Sequence, residues 1–252
     1  MEPILSYSIF NAQYPNSSRQ LWLAWAFPVF TVTALGIDSV FFLEHYFDGR
    51  LLTNVLAVLY FATMFAVCGT ELRKLMAIMV VLSYIGELIF CKLLGMYTYR
   101  TAAIPLYVPF GHAIVYASGY IFAHTQWVQS KGRQLGMFFA AGFTLLFLLV
   151  GILLNDIFSL VFGVLFFVLL KRKRWQNLYY FVALCVIFIE LVGTYMQCWK
   201  WVPKIFGLFP TVNPPMGAVF FYAGGDVLLA RILKAWDNKK VKKNESDDIY
   251  RA

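Results

Sequence analysis

Residues 134–154 read QLGMFFAAGFTLLFLLVGILL, a run with no charged side chain. A helix rises 1.5 Å per residue, so about 20 apolar residues cross a hydrocarbon layer roughly 30 Å thick. This run is long enough to do so. Working outward from it, comparable runs occupy 21–43, 51–69, 74–95, 104–126, 157–170, 177–198 and 214–233, with 157–170 the shortest. The chain is 61% hydrophobic and 13% charged, against about 25% charged in a soluble domain. The expected fold is therefore all-α: a polytopic integral membrane helical bundle of about eight transmembrane helices.

Charges mark alternate joints between these runs: TELRK at 70–74, QSKGRQ at 129–134, KRKRW at 171–175 and a lysine-rich tail after Arg231. With the N-terminus in the cytoplasm, 16 of the 21 basic residues fall on the cytoplasmic side, and only Arg50, Lys92, Arg100, Lys200 and Lys204 on the other. The positive-inside rule then places both termini in the cytoplasm, and a bacterial cytoplasmic membrane is expected. It also accounts for the formal charge of +8 without nucleic acid as a partner. The first twenty residues lack a basic segment, apolar core and cleavage site in series, so no cleavable signal peptide is expected. The tail, NKKVKKNESDDIYRA, reads as a solvated, disordered charge run.

The fourth and eighth runs carry one string twice. Pro109-Phe-Gly111-His-Ala-Ile-Val-Tyr116-Ala117-Ser-Gly119 matches Pro215-Met-Gly217-Ala-Val-Phe-Phe-Tyr222-Ala223-Gly-Gly225 at five of eleven positions. A glutamate followed by leucine precedes each, Glu87-Leu88 by 22 residues and Glu190-Leu191 by 25, and each glutamate is followed by an aromatic pair. Duplication of a four-helix unit explains this order, although small-xxx-small spacing also recurs by chance in membrane helices. Four spans per unit is even, so the repeat is parallel, with a shared site between the halves. The expected organisation is an N-terminal cytoplasmic segment 1–20, repeats at 21–127 and 128–233, and a tail 234–252.

An ionised carboxylate in hydrocarbon costs at least about 2.5 kcal/mol, so acids within spans are paired, protonated or facing a wet cavity. Counting along the spans puts Glu87, His112, Tyr116, Glu190, Tyr222 and Asp226 at similar depth in the outer half, with Asp38 nearby. They are expected to converge on one polar pocket; the alternative is that each acid merely joins helices. Tyr97, Tyr99, Trp127, Trp175, Trp199 and Trp201 sit at span ends, where an interfacial aromatic belt belongs. The four-proline run WKWVPKIFGLFPTVNPPMG at 199–217 is a shaped loop that lids the pocket or caps the bundle. Tyr97, Tyr99, Tyr116, Tyr222, Asn213 and Trp199 are the candidate substrate contacts.

Cys68, Cys91, Cys185 and Cys198 show no ligand spacing and read as small core residues. Three histidines, His45, His112 and His124, are too few for a di-iron desaturase. No P-loop, GxGxxG, HExxH or GxSxG pattern occurs. Neither a metal nor another cofactor is expected.

Glu87 with GMYTY at 95–99 and IPLYVPFG at 104–111 resembles a bacterial family of polytopic carotenoid-biosynthesis proteins that includes membrane hydratases. The resemblance covers about 25 residues. It implies a carotenoid or other polyprenyl substrate and makes Glu87, Tyr97 and Tyr99 family-like positions. The chain departs from the family at His112, where a tryptophan is expected.

Carboxylic acids kept in apolar surroundings stay protonated at neutral pH and can donate a proton to an alkene or epoxide. The leading expectation is a membrane-embedded enzyme in which Glu87, Glu190, Asp226 and His112 carry general acid and base chemistry on a lipid-soluble, isoprenoid-like substrate. A small proton- or cation-coupled transporter built on the same acids and a non-catalytic assembly protein are the alternatives. Oligomeric state is not legible.

Overall fold

A computed structural model describes residues 17–171, 173, 175–225, 228, 229 and 232. The expected N-terminal segment lies largely, and the tail wholly, outside them.

Ser17 opens the bundle with a capping box: its hydroxyl accepts from Gln20 N and the Gln20 side chain accepts from Ser17 N, which starts α1 (Ser18–Ile37). The first span stops there, short of residue 43, because Asp38 caps it and Ser39 starts a separate short helix, α2 (Val40–His45). The succeeding elements are α3 (Arg50–Val67), α4 (Thr70–Glu87), α5 (Tyr107–Ala123), α6 (Gln126–Ser130), α7 (Gly132–Leu153), α8 (Ile157–Leu170), α9 (Gln176–Tyr195) and α10 (Met216–Gly225). Among the described residues, five helices, α1, α3, α4 with its extension, α7 and α9, are long and apolar enough to cross a membrane. The protein is thus an all-α membrane-type bundle.

α5 is its axis. Thirteen of its 17 residues are buried, against three of 18 in α3 and three of 22 in α7. It packs on α1, α3, α4 and α9. The close approach to α9 depends on Gly119, where an added Cβ would stand 2.7 Å from Val182 Cγ2 and 2.8 Å from its backbone. Surrounded by helices instead of lipid, α5 can carry His112, Ser118 and three tyrosines.

After Glu87 the helix α4 widens into a π-helical stretch, Leu88–Leu93, closed by Leu94 N donating to Ile89 O. Such an expanded turn re-aims the side chains around it and is common at functional sites. The chain then forms β1 (Tyr97–Tyr99), which pairs antiparallel with β2 (Trp199–Trp201) in the register Tyr97 to Trp201 and Tyr99 to Trp199. The 199–217 loop continues as a tight hairpin, β3 (Lys204–Ile205) with β4 (Phe209–Pro210). Arg100 fixes β1 to the rest of this end of the bundle. Its Nη2 lies 2.8 Å from Asp38 Oδ1 and 2.6 Å from Asp48 Oδ1, and its backbone N donates to Cys198 O.

Candidate active site

Successive strand residues face opposite ways, so Tyr97 and Tyr99 share one face of β1, and Trp199 and Trp201 the same face of β2. Thr98 and Lys200, between them, are exposed. The pairing of β1 with β2 therefore sets four aromatic donors side by side, with Tyr97 and Trp201 rings 4.7 Å apart. They point inward. The belt expected of these four residues is replaced by two carboxylate clamps.

In the first clamp, Glu87 Oε2 accepts from Tyr97 Oη at 2.9 Å and from Tyr99 Oη at 2.7 Å. Glu87 Oε1 lies 3.2 Å from His112 Nε2, and the His112 ring stacks on Tyr222, centroids 4.9 Å apart and planes within 8°. Burial, reinforced by the Glu87 charge, holds the Tyr97 and Tyr99 hydroxyls well above the usual tyrosine range, so both remain protonated donors. In the second clamp, Glu190 Oε2 accepts from Trp199 Nε1 at 2.9 Å and Trp201 Nε1 at 3.0 Å. Gly193 makes room for it, since a Cβ there would lie 1.9 Å from the Trp199 ring. Among the described residues, Glu190 Oε1 has no hydrogen-bond partner.

Both carboxylates line one cavity of about 400 Å³. Its remaining wall is mostly apolar, from Phe27 and Phe30 on α1, Leu82 and Phe90 near Glu87, Ile114 and Val115 on α5, and Phe220 and Phe221 on α10. Glu87, Tyr97, Tyr99, His112, Glu190, Trp199 and Tyr222 are thus brought together around it. Two expected contacts are placed elsewhere. Tyr116 is buried a turn deeper, beside a small void shared with Leu178, Tyr179 and Tyr222. Asn213 is exposed, and its Oδ1 accepts from Trp201 N at 3.0 Å, so it braces the second clamp from behind. Asp226 lies outside the described residues.

Sequence reasoning missed the roles of Trp201 and Tyr107. The available signal for Trp201 was the alternation in WKW, which puts it on the same face as Trp199. Tyr107 also lines the cavity, and its hydroxyl donates to Asp38 Oδ2 at 2.7 Å. Among the described residues, no group of three or more His, Cys, Asp or Glu side chains is placed to hold a metal ion.

Two carboxyl groups facing one largely apolar chamber can exchange protons with a ligand held between them. The chain matches no known family model, no curated protein and no solved structure, and the reading of the site rests on its geometry.

Proposed function

We propose that the protein is a membrane-embedded enzyme that protonates an alkene or epoxide of a lipid-soluble, isoprenoid-like substrate. The observation that carries this reading is the pair of buried carboxylates, each gripped by two aromatic donors, facing one apolar cavity. The resemblance around Glu87, GMYTY and IPLYVPFG supports a polyprenyl substrate.

The clamps suggest how the work is divided. An indole N–H only donates, so the Glu190 oxygen facing Trp199 and Trp201 must accept, and any proton on Glu190 sits on Oε1. From there it passes to the substrate alkene, forming a C–H bond and leaving a carbocation. Water then adds to that carbon, and its proton goes to Glu87, with His112 beside Oε1 to share it. The sum is addition of water across the double bond with one proton moved from Glu190 to Glu87, and loss of that proton from Glu87 with uptake of one by Glu190 restores the starting state. The aromatic rings lining the cavity present faces suited to a cation.

The same reading includes eight spans with both termini in the cytoplasm, the short helices α5, α8 and α10 completing the count, and descent from a duplicated four-helix unit. Duplication is supported by the clamps themselves: Glu87 with donors 10 and 12 residues on, Glu190 with donors 9 and 11 residues on, and the two donor strands paired to each other.

The test is mass spectrometry of lipids bound to the gently solubilised protein, wild type beside Glu87→Gln. A polyprenyl species enriched in the variant is the expected result. A Glu87→Gln protein whose bound lipids and products equal the wild type's overturns the acid–base reading, and pH-dependent counterflow in proteoliposomes would give the acids to transport.

A further inference from the structure

We propose that the substrate enters sideways from the lipid, through a mouth between α4 and α10, and that its apolar chain stays in that mouth while its reactive end meets the glutamates. This deepens the acid–base reading and takes its substrate class from it.

The cavity wall is open on one side. Ile85, Ile89 and Leu228 line the cavity and are also 47%, 40% and 50% exposed. Residues without side chains complete the rim. A Cβ at Gly224 or Gly225 would meet no atom of the described residues within 4 Å, and at Gly86 only the edge of the Phe90 ring, at 3.7 Å. Toward β1 and β2 the gap is closed by Phe90 against Phe221, centroids 4.7 Å apart.

The repeated string makes the opening informative. Gly119 and Gly225 are the same position in it. On α5 that glycine is pressed against Val182 of α9, 2.7 Å from where a Cβ would stand, whereas on α10 it meets no atom of the described residues within 4 Å. One seam between the halves is sealed, and its counterpart is left ajar.

The chemistry of the rim selects the occupant. Its described residues are aliphatic or glycine, on one side along α4 and its extension, long and apolar enough to cross a membrane, and on the other along the shorter apolar α10 and at Leu228 beyond it, so a hydrated or charged ligand would shed its water to pass while an apolar chain would not. About 400 Å³ is near the small end of ligand cavities, roughly 300–1,000 Å³, so a chain of several isoprene units cannot be wholly enclosed and must trail through the opening.

A tetraprenyl alcohol with a diazirine midway along its chain, photolysed with the full-length protein in phospholipid nanodiscs, tests this. Label is expected on peptides containing Ile85, Ile89 and Leu228. Gly225→Trp should lower it about tenfold, with Ile85→Trp on the opposite lip as the second variant should the first not fold. Leu148→Trp, on the exposed face of α7, should leave it unchanged. Label spread evenly over α3 and α7, or mouth label indifferent to both blocking variants, overturns the proposal. Labelling requires no turnover, so a fully active Glu87→Gln would sink the acid–base reading with the mouth still standing, and an unlabelled mouth would sink the entry route with the acid chemistry untouched.

Discussion

Around Glu87 the paired donors are hydroxyls, and a histidine occupies the second oxygen; around Glu190 they are indoles, and the second oxygen faces the cavity with no partner among the described residues. Hydroxyls can reverse their hydrogen bonds and imidazole can carry a proton, whereas an indole can do neither. Two clamps of one design are thereby made unequal. The first can take up a proton and pass it on, and the second can only present one to the cavity.

The largest effects should come from removing the acids themselves. Glu190→Gln keeps an oxygen on the indoles and turns an amide to the cavity, so turnover should fall by about 10²–10⁴-fold with thermal stability nearly unchanged. Glu87→Gln should lose turnover on the same scale. Incorporation of solvent deuterium into bound substrate separates them: it should persist in Glu87→Gln, where the first protonation survives, and vanish in Glu190→Gln. The opposite pattern would exchange the two roles.

Next in size is loss of the donors. Trp199→Phe with Trp201→Phe leaves Glu190 Oε2 buried and unmet, a cost of about 1–3 kcal/mol before the lost ring volume is added. Tyr97→Phe with Tyr99→Phe should cost less, about 1 kcal/mol, because His112 still holds Glu87. Thermal unfolding in detergent measures both, and equal losses would mean that the histidine contributes nothing to the first clamp.

This inequality was only partly written where it could be read. Counting residues into each span places Glu87, His112, Glu190 and Tyr222 at one depth, because rise per residue is constant in a helix, and all four line the cavity. The same count places Tyr116 with them. What it omits is the direction each residue faces on its helix: Tyr116 and Tyr222, equivalent in the repeated string, share the small void beside α9, but only Tyr222 also lines the cavity. The clamps were hidden for a different reason. YTY and WKW are too short to signal strands, and their pairing joins segments about a hundred residues apart. Asn213 acts through a backbone N–H, a partner that no side-chain pattern announces.

A smaller contrast lies in the two seams. Gly119→Ala must push against the Val182 backbone, which has nowhere to move, and should cost about 1–3 kcal/mol. Gly225→Ala adds a methyl group that would meet no atom of the described residues, and should be neutral or stabilising by up to about 1 kcal/mol. A comparable loss at both positions in thermal unfolding would show that the α10 glycine is packed in the membrane, and the asymmetry of the halves would go with it.

The smallest effect concerns how the clamps are held in place. β2 is braced by a neutral contact, Asn213 to Trp201 N, but β1 is followed by Arg100, whose guanidinium is shared by buried Asp38 and exposed Asp48. The hydrogen bond from Arg100 holds the Asp48 carboxyl below its usual value. The folded protein therefore binds that proton less readily than the unfolded chain does. The stabilisation is fully present above the unfolded value near pH 4 and is lost as the pH falls through it toward the lower folded value. Asp48 is 53% exposed and its charge is screened, so the contribution should stay below about 1 kcal/mol. Wild type should accordingly lose more thermal stability than Asp48→Asn between pH 5 and about pH 3, and the gap should shrink in high salt. Parallel pH profiles for the two proteins would show that the Asp48 contact adds nothing to stability and would leave Asp38 as the carboxylate that holds the Arg100 guanidinium.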